Sequence, residues 1–246
     1  MTRYGMVIDL DRCTGCRACM AACKVENNTP EGNYWMYAFR FEEGEYPNTR
    51  VWFMPRPCQH CQNAPCVNVC PVGARYKRDD GITATDWDRC IGCRYCEVSC
   101  PYGVNYFNWK EPQKSFYLDW ESDPDVFAVL GDERFPYANP DLKERYGKEQ
   151  RHIAGGGHYK GVMEKCTFCV HRVEKGMQPA CVDVCPTKVI LFGDLDDPTS
   201  EVSQALQKKA SFRLLEESGT EPNVYYIGGQ HPTSDTRQIE EVKARV

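Results

Sequence analysis

The chemistry available to this sequence lies in its sixteen cysteines, which fall into four quartets with none left over. Cys13, Cys16, Cys19 and Cys23 follow Asp9-Leu-Asp-Arg12, and Cys90, Cys93, Cys96 and Cys100 follow Asp86-Trp-Asp-Arg89, a near-repeat 77 residues further on. Cys58, Cys61, Cys66 and Cys70 end in A-P-C-V-N-V-C-P, and Cys166, Cys169, Cys181 and Cys185 end in P-A-C-V-D-V-C-P. The spacing C-x2-C-x2-C-x3-C suits a cubane iron–sulfur core. Three neighbouring thiolates wrap three corners, and the fourth, often followed by proline, crosses to a partner cluster. Pro71, Pro101 and Pro186 follow the last cysteine of their quartets, whereas Lys24 follows Cys23. Gly15, Ala18 and Gly92 lie inside the wraps and read as small residues that let backbone approach an inorganic core.

Other uses of cysteine fit less well. Eight disulfides imply an oxidising compartment, yet the N-terminus has no apolar signal region and no twin arginine. A chain carried across a membrane by a signal-bearing partner would look the same. Structural zinc stays open as an alternative, because C-x2-C pairs also hold zinc, although usually as two pairs separated by a loop. The formal charge of −5 counts thiols as neutral, and four [4Fe–4S] cores with their thiolates would add roughly −8. Arg12, Arg17, Lys24, Arg89, Arg94, Lys165, Arg172 and Lys188 flank the motifs and read either as charge compensation or as solvated surface. An acidic chain without a basic block gives no support to nucleic-acid binding. The mean hydropathy is −0.60, and no apolar run approaches the ~18 residues of a membrane span. His60 and His171 stand beside complete quartets and read as surface or supporting residues, not as ligands. Residues 155–157 are three glycines, but no Lys-Ser/Thr follows, so they read as loop and not as a phosphate cradle.

The elements that must position these cysteines are short. Residues 4–10 read as a buried strand, 17–24 as a helix carrying Cys19 and Cys23 on one face, and 27–50 as irregular. A strand at 51–54 should end at Pro55. Two β-prone runs, 74–78 and 82–85, flank Asp80-Gly81 and predict a hairpin. A strand at 104–109 should close this inner unit. Residues 111–160 read as a long insertion of functional or interface character. A strand at 188–192, a helix whose start is read at Asp197-Pro-Thr-Ser-Glu201 and which runs to about Ala210, and a strand at 224–227 complete the pattern. Only 19 residues separate Cys70 from Cys90, against 34 between Cys23 and Cys58 and 65 between Cys100 and Cys166. The second and third quartets are therefore expected to form one two-cluster, ferredoxin-like unit, and the first and fourth the other.

With these motifs, and with Gly161-Val-Met-Glu-Lys-Cys-Thr-Phe-Cys169 and Gly193-Asp-Leu-Asp-Asp-Pro198, the chain resembles the iron–sulfur electron-transfer subunit of dimethyl sulfoxide reductase-type molybdoenzymes, from Val7 to about Ile227. The resemblance implies an α+β fold of two interlocked two-cluster ferredoxin-like modules: an outer one (1–50 with 161–195), an inner one (51–110), the insertion (111–160) and a C-terminal extension (196–246). Cys93 is present where relatives can lack a cysteine, so the resemblance implies four [4Fe–4S] clusters. The expected ligand sets are crossed: Cys13, Cys16, Cys19 with Cys185; Cys166, Cys169, Cys181 with Cys23; Cys58, Cys61, Cys66 with Cys100; Cys90, Cys93, Cys96 with Cys70. The implied role is a relay without its own catalytic reaction, between a molybdopterin catalytic subunit and a quinone-reactive membrane subunit. Such a complex would be peripheral to a prokaryotic membrane, on its cytoplasmic or periplasmic face. A stand-alone polyferredoxin and a zinc-stapled interaction module are the alternatives.

Overall fold

The structure is a computed structural model and describes residues 2–111, 145–154 and 158–229, with the backbone of 237–238. Most of the insertion, the three glycines and, apart from that backbone, the tail from Gln230 lie outside the described residues. Among the described residues the fold mixes short helices with four small sheets. Strand β1 (Tyr4–Asp9) is apolar on both faces because it lies inside a sheet: Met6, Val7 and Ile8 are fully buried. It pairs antiparallel with β8 (Ile190–Asp194), Met6 opposite Phe192, and parallel with β10 (Val224–Ile227), Ile8 opposite Tyr226. β9 (Ser211–Phe212) completes the order β8-β1-β10-β9. Helix α6 (Glu201–Lys208) covers this sheet, with Val202 packed against Val7 and Ile227. Ser200 caps it, its hydroxyl accepting from the Ser203 N–H at 3.2 Å.

Three expectations are corrected. The stretch expected to be irregular contains β2 (Tyr37–Glu43), antiparallel to β3 (Arg50–Arg56). The alternating Tyr37, Phe39 and Phe41 form an aromatic ladder, and Phe41 stacks on Trp52 at 4.5 Å. Pro55 does not end β3, because β3 is the sheet edge and proline removes no ladder bond there. The strand expected at 104–109 shrinks to β6 (Tyr106–Phe107). It pairs with β7 (Met163–Glu164), so it ties the inner stretch to the lead-in of the fourth quartet. The predicted hairpin is present as β4 (Arg75–Lys77) and β5 (Thr83–Thr85).

Short helices follow the cysteine wraps: α1 (Ala18–Asn27), α2 (Pro65–Asn68), α3 (Tyr95–Val98), α4 (Val170–Val173) and α5 (Ala180–Asp183). One continuous core runs from the β1 sheet through these wraps and includes Trp35, Trp52, Trp87 and Phe168. The described end of the insertion belongs to that core. Tyr146, His152, Ile153 and His158 are buried, and Trp87 packs against both histidines at 4.9 and 5.3 Å. Among the described residues no helix is long and apolar enough to cross a membrane.

Candidate metal centres

The fold sorts the sulfurs into four groups, and in each the last cysteine of one quartet joins the first three of another. Cys185 acts electrostatically on Cys13 and Cys19, alongside Cys16 (group I). Cys23 lies with Cys166, Cys169 and Cys181 (group II). Cys58, Cys61, Cys66 and Cys100 line one cavity (group III), and Cys70, Cys90, Cys93 and Cys96 line another (group IV). The groups adjoin in series. Cys19 bears on Cys23 between I and II, Cys58 on Cys166 between II and III, and Arg75 lies between III and IV. Cys16 and Cys93, in the first and last groups, are the two exposed cysteines.

These groups fit polynuclear cores. All sixteen thiols are free. Among the described residues no three His, Cys, Asp or Glu side chains converge on a point that would hold a single metal ion. In groups III and IV the sulfurs surround a void instead, which zinc, with its Zn–S bonds of about 2.3 Å, does not need. Backbone N–H groups point at the sulfurs: His60 to Cys58 at 3.5 Å, and Phe168 to Cys166, Arg75 to Cys70, Met163 to Cys90 and Val189 to Cys185, each at 3.4 Å. Two of these donors, His60 (φ 43°) and Phe168 (54°), are left-handed at the matching position of their wraps, and Arg17 and Arg94 (both φ 62°) are left-handed at the matching position of the other two. Gly15 and Gly92 are also left-handed, but the crowding they relieve comes from protein. A Cβ on Gly15 would strike the Phe53 ring at 2.5 Å, and one on Gly92 the Gly161 carbonyl oxygen at 2.1 Å.

Burial pushes the thiols of Cys19, Cys61 and Cys166 up to about 12 and those of Cys23 and Cys181 well above the usual value. The protein alone therefore disfavours thiolates here, and the positive charge of bound iron would have to draw the protons off. Cys185 is the exception. Burial raises it, but N–H groups of Val189 and Ile190 and the Thr187 hydroxyl outweigh that and hold it below the usual value.

The flanking cations divide sharply. Lys165 is buried, with its ammonium on the carbonyls of Thr83 and Cys166. Arg94 pairs with Glu97 and stacks on Trp109, and Arg172 pairs with Glu26 and Asp183. Lys188 donates to the Asp183 carbonyl, Arg12 to that of Thr187, and Arg89 is an exposed neighbour of Asp86. Lys24 donates to the carbonyls of Thr29, Pro30 and Asn33 at 3.0–3.2 Å and so latches the following loop. It stands where the other quartets have proline because Cys23 is inside a ten-residue helix, whose interior excludes proline. The other three quartets end just beyond helices of four residues.

Neither histidine beside a quartet is on the surface. His60 is fully buried against Phe168, and His171 is buried with Nε2 2.7 Å from Glu26 Oε1. Two polar residues escape a reading of the sequence alone. Asn27 directs its amide to Cys23 Sγ at 3.6 Å and Cys169 Sγ at 3.8 Å, and Arg75 donates to Cys96 Sγ at 3.3 Å. Asn27 is one helical turn beyond Cys23, a spacing that could have revealed it. Arg75 carries no such local signal.

Comparison with known proteins agrees with this chemistry. One 4Fe-4S dicluster domain family matches residues 49–115 and 154–195, and a second matches residues 12–74. The iron-sulfur subunit ArrB of the Shewanella sp. arsenate respiratory reductase is 42% identical over 236 residues, which are 92% of this chain and 96% of that protein. A selenate reductase subunit from Mesobacillus selenatarsenatis is 41% identical over 222 residues, 90% of this chain and 70% of that protein. The iron-sulfur cluster-binding subunit of menaquinone reductase from Nitratidesulfovibrio vulgaris is 37% identical over 254 residues, 92% and 88% of the two chains. Sixteen cysteines match the needs of four [4Fe–4S] clusters, which exchange single electrons. The chain therefore belongs to the family of 4Fe–4S dicluster iron–sulfur subunits that serve as electron carriers in such reductases.

Proposed function

We propose that groups I to IV are the ligand sets of four [4Fe–4S] clusters held in series, and that the chain relays electrons between two partners docked near its exposed ends. The observation that carries this reading is the crossed sorting of the sulfurs, with Cys16 and Cys93 exposed in the terminal groups and Cys23, Cys166, Cys169 and Cys181 buried between. Crossing makes the first and fourth quartets one module and the second and third another, stapled to each other by β6 and β7. When bound, the clusters supply one-electron chemistry. The chain's own residues fix their spacing, exclude water from the inner groups and direct N–H groups at the sulfurs.

The partners follow from the relatives. A reductase subunit of this kind serves a catalytic subunit, which we take to be a molybdopterin enzyme. The menaquinone reductase relative points to a quinone-reactive membrane subunit as the second partner. In this reading the chain works at the periphery of a membrane, without catalysis of its own.

Anaerobic purification with native partners tests the reading. The expected preparation is brown, holds ~16 iron atoms per chain and retains both partner subunits. A colourless zinc protein sinks the cluster assignment, and a brown protein without partners makes it a soluble polyferredoxin. The pairing is tested by redox-titrated electron paramagnetic resonance (EPR). Cys23→Ala should disturb the signal that Cys166→Ala disturbs and spare the one lost in Cys13→Ala. If Cys23→Ala matches Cys13→Ala instead, the crossing is wrong.

A further inference from the structure

Arg75 is 2% exposed and sits at the start of β4, between the cavities of groups III and IV. Its backbone N–H donates to Cys70 Sγ at 3.4 Å and its Nη2 to Cys96 Sγ at 3.3 Å, so one residue reaches two sulfurs of group IV. On the other side, the sulfurs of Cys66 and Cys58 in group III bear on the same guanidinium. Its Nε and Nη1 are buried without a hydrogen-bond partner, and among the described residues no carboxylate pairs with it.

A guanidinium cannot escape burial by losing its proton, and an uncompensated buried charge is strongly destabilising. Something anionic must therefore face Arg75 from both sides, and the sulfurs of groups III and IV are what the structure puts there. We propose that Arg75 is a shared counter-ion of the two cluster sites, a positioning residue that raises the reduction potentials of both and most strongly that of group IV. The inference rests on the assignment of groups III and IV as cluster sites.

The direction follows from charge. Reduction adds an electron to a site that is already negative, so a fixed cation stabilises the reduced form more than the oxidised one. A hydrogen bond to a ligand sulfur acts in the same sense. The asymmetry follows from the neighbours. Group III keeps two other ammonium groups close by: Lys165, which lines its cavity, and Lys77, which donates to the carbonyls of His60 and Cys61. In group IV the other basic side chain lining the cavity is Arg94, and its charge is committed to Glu97 at 2.8 Å. Loss of Arg75 should therefore fall hardest on group IV.

The test is an EPR-monitored redox titration of the cluster-loaded chain, with signals assigned by Cys93→Ser for group IV and Cys61→Ser for group III. Arg75→Gln should lower the group IV potential enough to cut its reduced-to-oxidised ratio at a fixed potential on the order of tenfold, which is about 59 mV for one electron. The group III signal should move the same way by less, and the group I and II signals should hold still. Full iron content with unmoved group III and IV potentials overturns the proposal, as does a shift confined to group III. If Arg75→Gln does not assemble, Arg75→Lys decides, because its ammonium keeps the charge but loses the forked reach to Cys96. A smaller fall of the group IV potential supports the role, and an unmoved one overturns it. A wild-type chain without iron would instead overturn the cluster assignment itself, so the two failures are distinct.

Discussion

The rings of His60 and Phe168 stack face to face, with centroids 3.6 Å apart and planes 26° from parallel. They occupy the same place in two related wraps, Cys58-Gln-His-Cys61 and Cys166-Thr-Phe-Cys169, and both residues are left-handed. The two wraps thus face each other across the junction of groups II and III. His60 Nδ1 accepts from the Thr83 N–H at 3.2 Å, which fixes the ring to the hairpin strand β5.

Phe168→Ala should empty a fully buried position at this junction. The expected cost is about 3–5 kcal/mol, read as a drop in the denaturant midpoint of the loaded protein. A loss under about 1 kcal/mol would show that the stack adds little beyond filling space that its neighbours can reclaim.

Cys93 is exposed in the last group. Cys93→Ser should leave one corner of that cluster weakly held and convert it to a [3Fe–4S] form of higher potential, with iron content falling to ~15 per chain. EPR of the oxidised variant is the readout. An unchanged signal set would remove Cys93 from the ligands.

Restoring the usual proline after the first quartet should do harm. Lys24→Pro puts proline inside α1, breaks the helix bond that its N–H makes and costs about 3 kcal/mol or more. It also releases the latch on Thr29, Pro30 and Asn33. Lys24→Met keeps the helix and loses the latch and the ammonium's place over the Tyr34 ring, so it should be the milder variant in thermal denaturation. The reverse ranking would put the weight of this position on the ammonium and not on the helix.

His158 is fully buried between Glu164 Oε1 at 2.7 Å and the Asn27 carbonyl at 2.8 Å, a geometry in which the protonated ring donates from both nitrogens. Burial alone would lower its pKa, but the Glu164 carboxylate and the Asn27 carbonyl outweigh burial and hold it above the usual imidazole value. A raised folded value makes the contribution complete below the unfolded value of about 6.5. That contribution is lost as pH rises through the folded value. Denaturation midpoints should thus fall above about pH 6.5 in the wild type. In His158→Gln that slope should vanish, and the variant should be weaker by roughly 3–5 kcal/mol at low pH, where Glu164 loses its cation. Parallel pH profiles for the two proteins would rule the ion pair out as the cause.

Much of the candidate site is legible in the sequence because cubane chemistry constrains spacing along the chain. The quartets, the short hairpin between Cys70 and Cys90 and the buried strand at 4–9 all follow from local pattern. What the sequence hides depends on distant partners. The aromatic alternation of Tyr37, Phe39 and Phe41 is masked by turn residues on either side. His158 and His152 read as loop residues, and only the fold brings Trp87, about seventy residues earlier in the chain, to pack on them. Arg75 reads as an ordinary strand cation, and only the fold places its guanidinium between two sets of sulfurs.

The position of β1 bears on how the protein is made. β1 is synthesised first, yet its neighbours on both sides, β8 and β10, lie at 190–194 and 224–227. During translation β1 must wait, without these neighbours, until residues 190–194 and 224–227 have emerged. On the proposed ligand assignment, group I waits for Cys185 and group II for Cys166, Cys169 and Cys181, whereas groups III and IV are complete once Cys100 has left the ribosome. Cofactor insertion therefore has a built-in chronology. The middle of the chain can be metallated while synthesis continues, and the outer pair only after the C-terminal strands arrive. Pairings of such long sequence separation are slow to form, so a truncated or stalled product would carry the first quartet as bare thiols, open to oxidation and to binding the wrong metal.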